Sequence, residues 1–300
     1  MAELKIGLVG LDTSHVTAFA GLLNDPGNAS HVPGGKIVAA YPGGSKDFEL
    51  SWSRVEGFTK TLRDKYSVEM KETPEAVAEG VDLLLITSVD GRVHREQFER
   101  TVKFKRPTFI DKPLAVSVED AEAIVRTANT EKVPVMSCSS VRYSDDLVKA
   151  LNGEREDVIG CDTFGPLSEV PTQPGLFFYG VHAVDMLVAV MGHGATDVAA
   201  THTEQGDVLS LVWPGGRTGS VRLMKEGHGK YGCTLHRKSG PQFVDASASK
   251  RPAYASMLEA ILRSLPNGKS GVPADEMLDT IRIIEAANRA RESRRTEKVG

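Results

Sequence analysis

The stretch KIGLVGLDTSHVTAFAGLLND, residues 5–25, decides how the first half of the chain is read. Ile6, Leu8 and Val9 form an apolar run that ends at Gly10, and Val16, Phe19, Leu22 and Leu23 follow at helical spacing. A strand, a glycine turn and a helix in that order form the first βα unit of a doubly wound sheet that holds a dinucleotide. The turn departs from that pattern. Counted from Gly10, G-x-G-x-x-G requires glycines at 12 and 15, where this chain has Asp12 and His15. Without a gap, Asp12 would set a carboxylate against a diphosphate and His15 would crowd the helix. With the loop shorter by about three residues, close to one helical turn, the helix N-terminus survives. Thr13 and Ser14 then offer hydroxyls to a phosphate and Asp12 is expected to cap the helix. The shortened loop is the better reading.

The same alternation continues to about residue 143. Strands are expected at 5–9, 36–40, 67–70 (weak), 82–87, 107–110 and 133–138, separated by helical patterns such as REQFERTVKF and VEDAEAIVRTANTEK. VDLLLITSV is apolar on both faces, as a central parallel strand should be. Ser117 ahead of Glu119 and Asp120 suits a helix start. Beyond residue 145 the pattern changes. GDVLSLVWPGGRTGSVRLM reads as two strands around a turn at Pro214, Gly215 and Gly216, and YGCTLHRKSGPQFVDAS as another pair. Two helices close the chain, the second started by Pro273 with Met277, Ile281, Ile284 and Asn288 on one stripe. The expected architecture is α/β: a Rossmann-like doubly wound parallel sheet over 1–143, then an α+β domain with a mainly antiparallel open sheet over 144–300.

Composition limits the function classes. The 300 residues are 40% hydrophobic and 25% charged, with a formal net charge of −4, which supplies no field for nucleic acid or an anionic membrane. The basic group Arg289, Arg291, Arg294 and Arg295 reads as a solvated helix end. Three cysteines, Cys138, Cys161 and Cys233, are odd in number and widely spaced, so they read as buried thiols rather than a disulfide framework or zinc site. The N-terminus enters a strand directly, and no run approaches a membrane span of ~20 apolar residues, so a cytoplasmic protein is expected.

TFIDKPLAVSVEDA places Asp111, Lys112 and Pro113 at the end of the fifth strand. SSVRY ends the sixth, LLLITSVDGRVH carries Thr87, Ser88 and His94, YGVHAVDML carries His182 and Asp185, and IRIIEAANRARES lies near the end. In this order the segments resemble the Gfo/Idh/MocA oxidoreductases across nearly the whole chain, with Asp-Lys-Pro in place of Glu-Lys-Pro. The resemblance implies hydride transfer between NAD(P) and a sugar or sugar-like polyol in a cleft between the domains. It implies that Gly10, Asp12, Thr13, Ser14, His15, Ser45, Thr87, Ser88, His94, Asp111 and Lys112 surround the cofactor. It also makes Lys112 and His182 the catalytic pair and sets Asp185, Tyr179, Arg142 and Tyr143 around the substrate. Phe178 is a departure, since many members carry an aspartate four residues before that histidine.

Residue chemistry supports part of this. An ammonium at the carboxyl edge of a parallel sheet reaches the ligand crevice, where it can polarise a carbonyl, and imidazole suits transfer of a hydroxyl proton. Other readings stay open. Phe177, Phe178 and Tyr179 are a stacking wall for a sugar or ordinary core; Arg142 faces the crevice or pairs with Asp111 or Asp145; His94 contacts the cofactor or bonds to backbone. After the second strand, Tyr41 and Pro42 stand where an acid would bind the ribose of NAD, and Ser45 and Lys46 suit a 2′-phosphate. NADP is therefore favoured over NAD, although loop 43–46 also fits a plain surface turn. The rival functions are a redox-inactive sugar-binding or assembly protein, and a metal-dependent lyase or isomerase using His182 and Asp185 with His193 or His202. No metal is assigned, and a homo-dimer or homo-tetramer is expected.

Overall fold

The structure is a computed structural model that describes residues 3–300. Its elements in chain order are β1 (Leu4–Val9), α1 (His15–Leu23), β2 (Gly35–Tyr41), α2 (Glu49–Tyr66), β3 (Glu69–Met70), α3 (Pro74–Glu79), β4 (Leu83–Ile86), α4 (His94–Thr101), β5 (Thr108–Ile110), α5 (Val118–Glu131), β6 (Val135–Met136), α6 (Asp145–Leu151), β7 (Val158–Pro166), α7 (Gly180–Met191), β8 (Asp197–Thr203), β9 (Gly206–Val212), β10 (Thr218–Met224), β11 (Gly232–Arg237), β12 (Gly240–Asp245), α8 (Ala253–Ser264), α9 (Ala274–Ser293) and β13 (Glu297–Lys298).

The chain divides into two compact units. The first holds the parallel sheet in the order β3-β2-β1-β4-β5-β6, which is that of a doubly wound dinucleotide-binding fold. All four residues of β4 are buried, as its two apolar faces require. Val16, Phe19, Leu22 and Leu23 of α1 are buried as their spacing predicts. Asn24 locks α1 to β2: its side chain accepts from Ile37 N at 2.9 Å and donates to Ile37 O at 2.8 Å.

A single cut at residue 143 does not describe the division. Residues 254–274 belong to the first unit, while 116–118, 139–253 and 275–300 make up the second. The physical reason lies in α8, whose Ala255, Met257, Leu258, Ala260 and Ile261 need an apolar partner. Tyr254 beside it packs edge-on to Phe19, ring centres 5.5 Å apart. Nothing in local sequence names that partner.

The second unit is built on a seven-stranded sheet in the order β12-β11-β7-β10-β9-β8-β13. Both expected hairpins form, β9 with β10 and β11 with β12. One pair, β7 with β10, is parallel, which only a crossover connection allows. Helix α7 is almost wholly buried, and Gly219 lets it approach, since a Cβ there would lie 2.9 Å from Leu187. The three cysteines are buried and form no disulfide, as read from their spacing. Cys233 beside Cys161 and burial together push the Cys161 thiol well above its ordinary range.

Candidate active site

At the carboxyl edge of the first sheet, the chain turns after β1 at Gly10, where φ is +94° and a Cβ would meet Ser88 at 2.2 Å. Only glycine fits there. Loop 41–44 lies against this turn: Gly10 N donates to Tyr41 O at 2.9 Å and Leu11 N to Pro42 O at 2.7 Å. Helix α1 begins after Ser14, whose side chain makes no capping bond. The first N–H groups of that helix therefore carry its partial positive charge toward the loop.

Asp12 does not cap α1, contrary to expectation. It is fully buried and bridges the first turn of α2 and the loop after β4, accepting from Ser51 Oγ at 2.6 Å and from Val89 N at 2.9 Å. Burial pushes its carboxyl above the usual range, and the Ser51 hydroxyl and Val89 amide offset that only in part. Ser51 Oγ in turn accepts from Ser45 N at 2.8 Å. Lys46 lies 5.4 Å over the Trp52 ring.

Thr87 and Ser88 are buried with their hydroxyls committed to the protein: Thr87 donates to Gly10 O at 2.6 Å, and Ser88 Oγ lies 2.8 Å from Gln97 Nε2. His94 is fully buried, with Nδ1 2.9 Å from Pro113 O and Nε2 2.8 Å from Ser88 O. Of its two readings, the backbone one is the geometry found. His94 staples the loop after β4 to the turn after β5.

Asp111, Lys112 and Pro113 form that second turn, with a cis Lys112–Pro113 bond. Asp111 accepts from Lys112 N at 2.8 Å through one oxygen and pairs with His15 Nδ1 through the other. Burial raises the Asp111 carboxyl, but the charge and hydrogen bond of His15 outweigh it and hold the group below its usual range. Lys112 moves the other way. Burial pushes its ammonium below the ordinary lysine range, Asp111 opposes that, and Arg54 adds to it.

The second unit gathers the other predicted residues. His182 Nδ1 lies 2.7 Å from Ser139 Oγ, and that oxygen also accepts from Val141 N at 3.1 Å. The Ser139 hydroxyl thereby orients the imidazole through Nδ1. Tyr179 and Tyr231 flank the imidazole, with ring centres 5.9 and 5.2 Å from it. Phe177 and Phe178 are buried core, so the aromatic wall is Tyr179 with Tyr231. Tyr143 is half-buried beside Arg142 in the chain.

Arg142 pairs with Asp185 and Glu276. Its guanidinium donates to Asp185 Oδ1 at 2.9 Å and to Glu276 Oε2 at 2.6 Å, all three side chains being buried, and Arg155 completes the group on Glu276 at 2.5 Å. The two arginines hold Glu276 below the usual carboxylate range against its burial. Arg142 and Asp185 thus satisfy each other, which makes them a scaffold for α7 rather than open ligand groups. Sequence reading missed Ser139, Tyr231 and Glu276. Only Ser139 left a signal, its place at the end of the sixth strand. His202 pairs with Asp207 at 2.6 Å, and among the described residues no three His, Cys, Asp or Glu side chains gather to hold a metal.

Residues 4–138 match the family model described as oxidoreductase family, NAD-binding Rossmann fold, GFO_IDH_MocA. Curated proteins yield no match. Among solved structures the chain is similar to a probable dehydrogenase from Thermotoga maritima, with a TM-score of 0.78, 17% identity and 99% of each chain covered. It is also similar to apo scyllo-inositol dehydrogenase from Lactobacillus casei, with a TM-score of 0.79, 16% identity and 99% and 98% of the two chains covered. A third is myo-inositol dehydrogenase from the same organism in complex with NAD(H) and myo-inositol, with a TM-score of 0.76, 15% identity and 100% and 97% covered. The glycine turn after β1, the sheet order around it and the match over 4–138 lead to one conclusion: residues 4–138 form a Rossmann domain similar to the NAD-binding domain of the Gfo/Idh/MocA oxidoreductases.

Proposed function

We propose that the protein is an NAD(P)-dependent oxidoreductase that acts on a CH–OH group of a sugar-like polyol, with inositols the first class to test. The observation that carries this reading is Lys112 at the carboxyl end of β5 in a family-matched Rossmann domain, its ammonium pushed below the lysine range by burial. The turn at Gly10 fits a dinucleotide: the glycine admits no side chain and the Ser14 side chain makes no capping bond at the α1 N-terminus. When bound, the nicotinamide would supply the hydride acceptor or donor. Lys112 orients and polarises the reacting oxygen, and a lowered ammonium pKa brings it nearer to proton exchange at working pH. His182, oriented by Ser139 at Nδ1, moves the hydroxyl proton through Nε2, while Tyr179 and Tyr231 present ring faces to the substrate. Tyr143 belongs to the substrate-contacting set, and Thr13, Ser14 and His15 to the cofactor set.

NADP is favoured over NAD because Tyr41 and Pro42 offer no carboxylate to the ribose, and Ser45 and Lys46 offer a hydroxyl and a cation. A homo-oligomer working in the cytoplasm completes the reading, in keeping with three buried cysteines that form no disulfide. Among the described residues no helix is long and apolar enough to cross a membrane. The test is nicotinamide reduction with a panel of inositols and sugars and both dinucleotides. Turnover of a polyol is expected, and tighter NAD would reverse the cofactor preference. One observation favours a second reading, a redox-inactive sugar-binding or assembly protein: Asp12 ties the start of α2 to the loop after β4 beside the turn a diphosphate would approach. Binding of neither dinucleotide would support it.

A further inference from the structure

The loops after β2 and β4 flank the turn after β1, because β1 lies between those strands in the sheet. Arg92 joins them. Its Nη1 and Nη2 each donate at 2.9 Å to one oxygen of Asp47 in the loop after β2. Its Nε and Nη2 donate to Asp90 at 2.9 and 2.8 Å, and its backbone N donates to the same carboxylate at 3.0 Å. The two partners differ in burial. Asp90 is 1% exposed and anchors the guanidinium, whereas Asp47 is 67% exposed and holds it from the solvent side.

A guanidinium edge that binds a carboxylate through two parallel N–H groups binds a phosphate in the same way. We propose that Arg92 is a phosphate-binding residue of the dinucleotide site, exchanging the exposed carboxylate of Asp47 for two oxygens of the diphosphate while Asp90 keeps it in place. The inference rests on the dinucleotide reading above. Three features support it. The bridge joins the two loops on either side of the diphosphate-binding turn, so its cation meets the ligand that crosses there. The exchangeable partner is an exposed ion pair, the kind that contributes least to stability. The glycines that would allow the closest backbone approach are missing from the shortened turn, so a side-chain cation supplies what the backbone lacks. Chemistry alone allows the 2′-phosphate of NADP as the occupant; the position favours the diphosphate.

The test is calorimetric titration of NAD, NADP and inorganic pyrophosphate into the full-length wild type, Asp47→Asn, Arg92→Gln and Arg92→Lys, with heat unfolding of each as a folding control. Asp47→Asn removes the competitor and is expected to tighten NAD and NADP alike by ~3-fold. Arg92→Gln is expected to weaken both ~10-fold or more, with partial recovery in Arg92→Lys, which keeps the charge without the fork. A change confined to NADP would overturn the diphosphate assignment in favour of the 2′-phosphate. Dinucleotide binding indifferent to both positions would overturn the inference and leave the cofactor reading standing. Binding of pyrophosphate that follows the same variant order, with neither dinucleotide bound, would keep the anion site and refute the cofactor reading. Binding of none of the three would remove both.

Discussion

Lys112 is held under opposed demands. The proposed function asks its ammonium to reach ligand at the sheet edge, yet burial disfavours its charge and Asp111 only partly compensates. A lysine with a folded pKa below its unfolded value makes the unfolded chain bind more protons, so its contribution to stability rises with pH between the two values and is unfavourable below both. Lys112→Met is accordingly expected to abolish turnover while raising stability by ~1 kcal/mol at neutral pH, read from denaturant unfolding. A loss of stability would show that the ammonium is better compensated than its surroundings indicate. His182 makes a different case. His182→Ala should lower turnover ~100-fold or more, as loss of an acid–base group does. Ser139→Ala should lower kcat by less, leave KM nearly unchanged and shift the pH profile, because it acts only through the imidazole it orients. An unmoved pH profile would reduce Ser139 to a turn residue. The candidate status of His182 was legible from its motif. Its dependence on Ser139 was not, because 43 residues separate them in the chain.

Among the elements, the β1–α1 unit shows what a short stretch specifies. Its strand, turn and helix follow from apolar periodicity around one glycine, and all the expected buried positions of α1 are buried. Gly10→Ala would place a Cβ 2.2 Å from Ser88 Oγ and 2.6 Å from Ser88 N, in a φ region alanine resists. A loss of at least ~2 kcal/mol is expected, read from the thermal midpoint of the cofactor-free protein. An unchanged midpoint would show that the turn can open without cost. The fate of Asp12 was misread at this same turn for a definite reason. Asp next to a helix start is ordinarily a cap, and only the folded α2 and the loop after β4 supply Ser51 and Val89 as stronger partners in a buried setting. Helix α2 was missed because its exposed surface is polar and few of its residues are buried.

For the whole molecule, buried carboxylates in both units set the acid limit. Asp111 and Glu276 lie below their ordinary values because cationic partners outweigh burial. A carboxyl depressed in the folded state contributes stability that is complete above its unfolded pKa and is lost as pH falls through the folded value. Stability should therefore be level from neutral pH to about 5 and fall below about 4. Asp12, raised by burial, works in the opposite sense, since the folded chain holds its proton longer. Glu276→Gln is expected to flatten the acid decline and lower stability at neutral pH by ~3 kcal/mol, because it leaves Arg142 and Arg155 with less compensation. Urea unfolding across a pH series checks both parts. A decline as steep as in the wild type would assign acid sensitivity to other groups.

What the sequence determined by itself is what depends on near neighbours: the parallel alternation of the first unit, the PGG hairpin between β9 and β10, the buried stripe of α9, and the lysine at the end of β5. Each rests on periodicity or on turn chemistry within a few residues. Tertiary structure alone decided that α8 returns to the first unit, that Arg142 finds Asp185 and Glu276, that His15 finds Asp111, and that Arg92 joins Asp47 to Asp90. These partners are distant in sequence, and a buried charge pairs with whichever opposite charge the packing brings within reach, a choice made by the fold and not by local spacing.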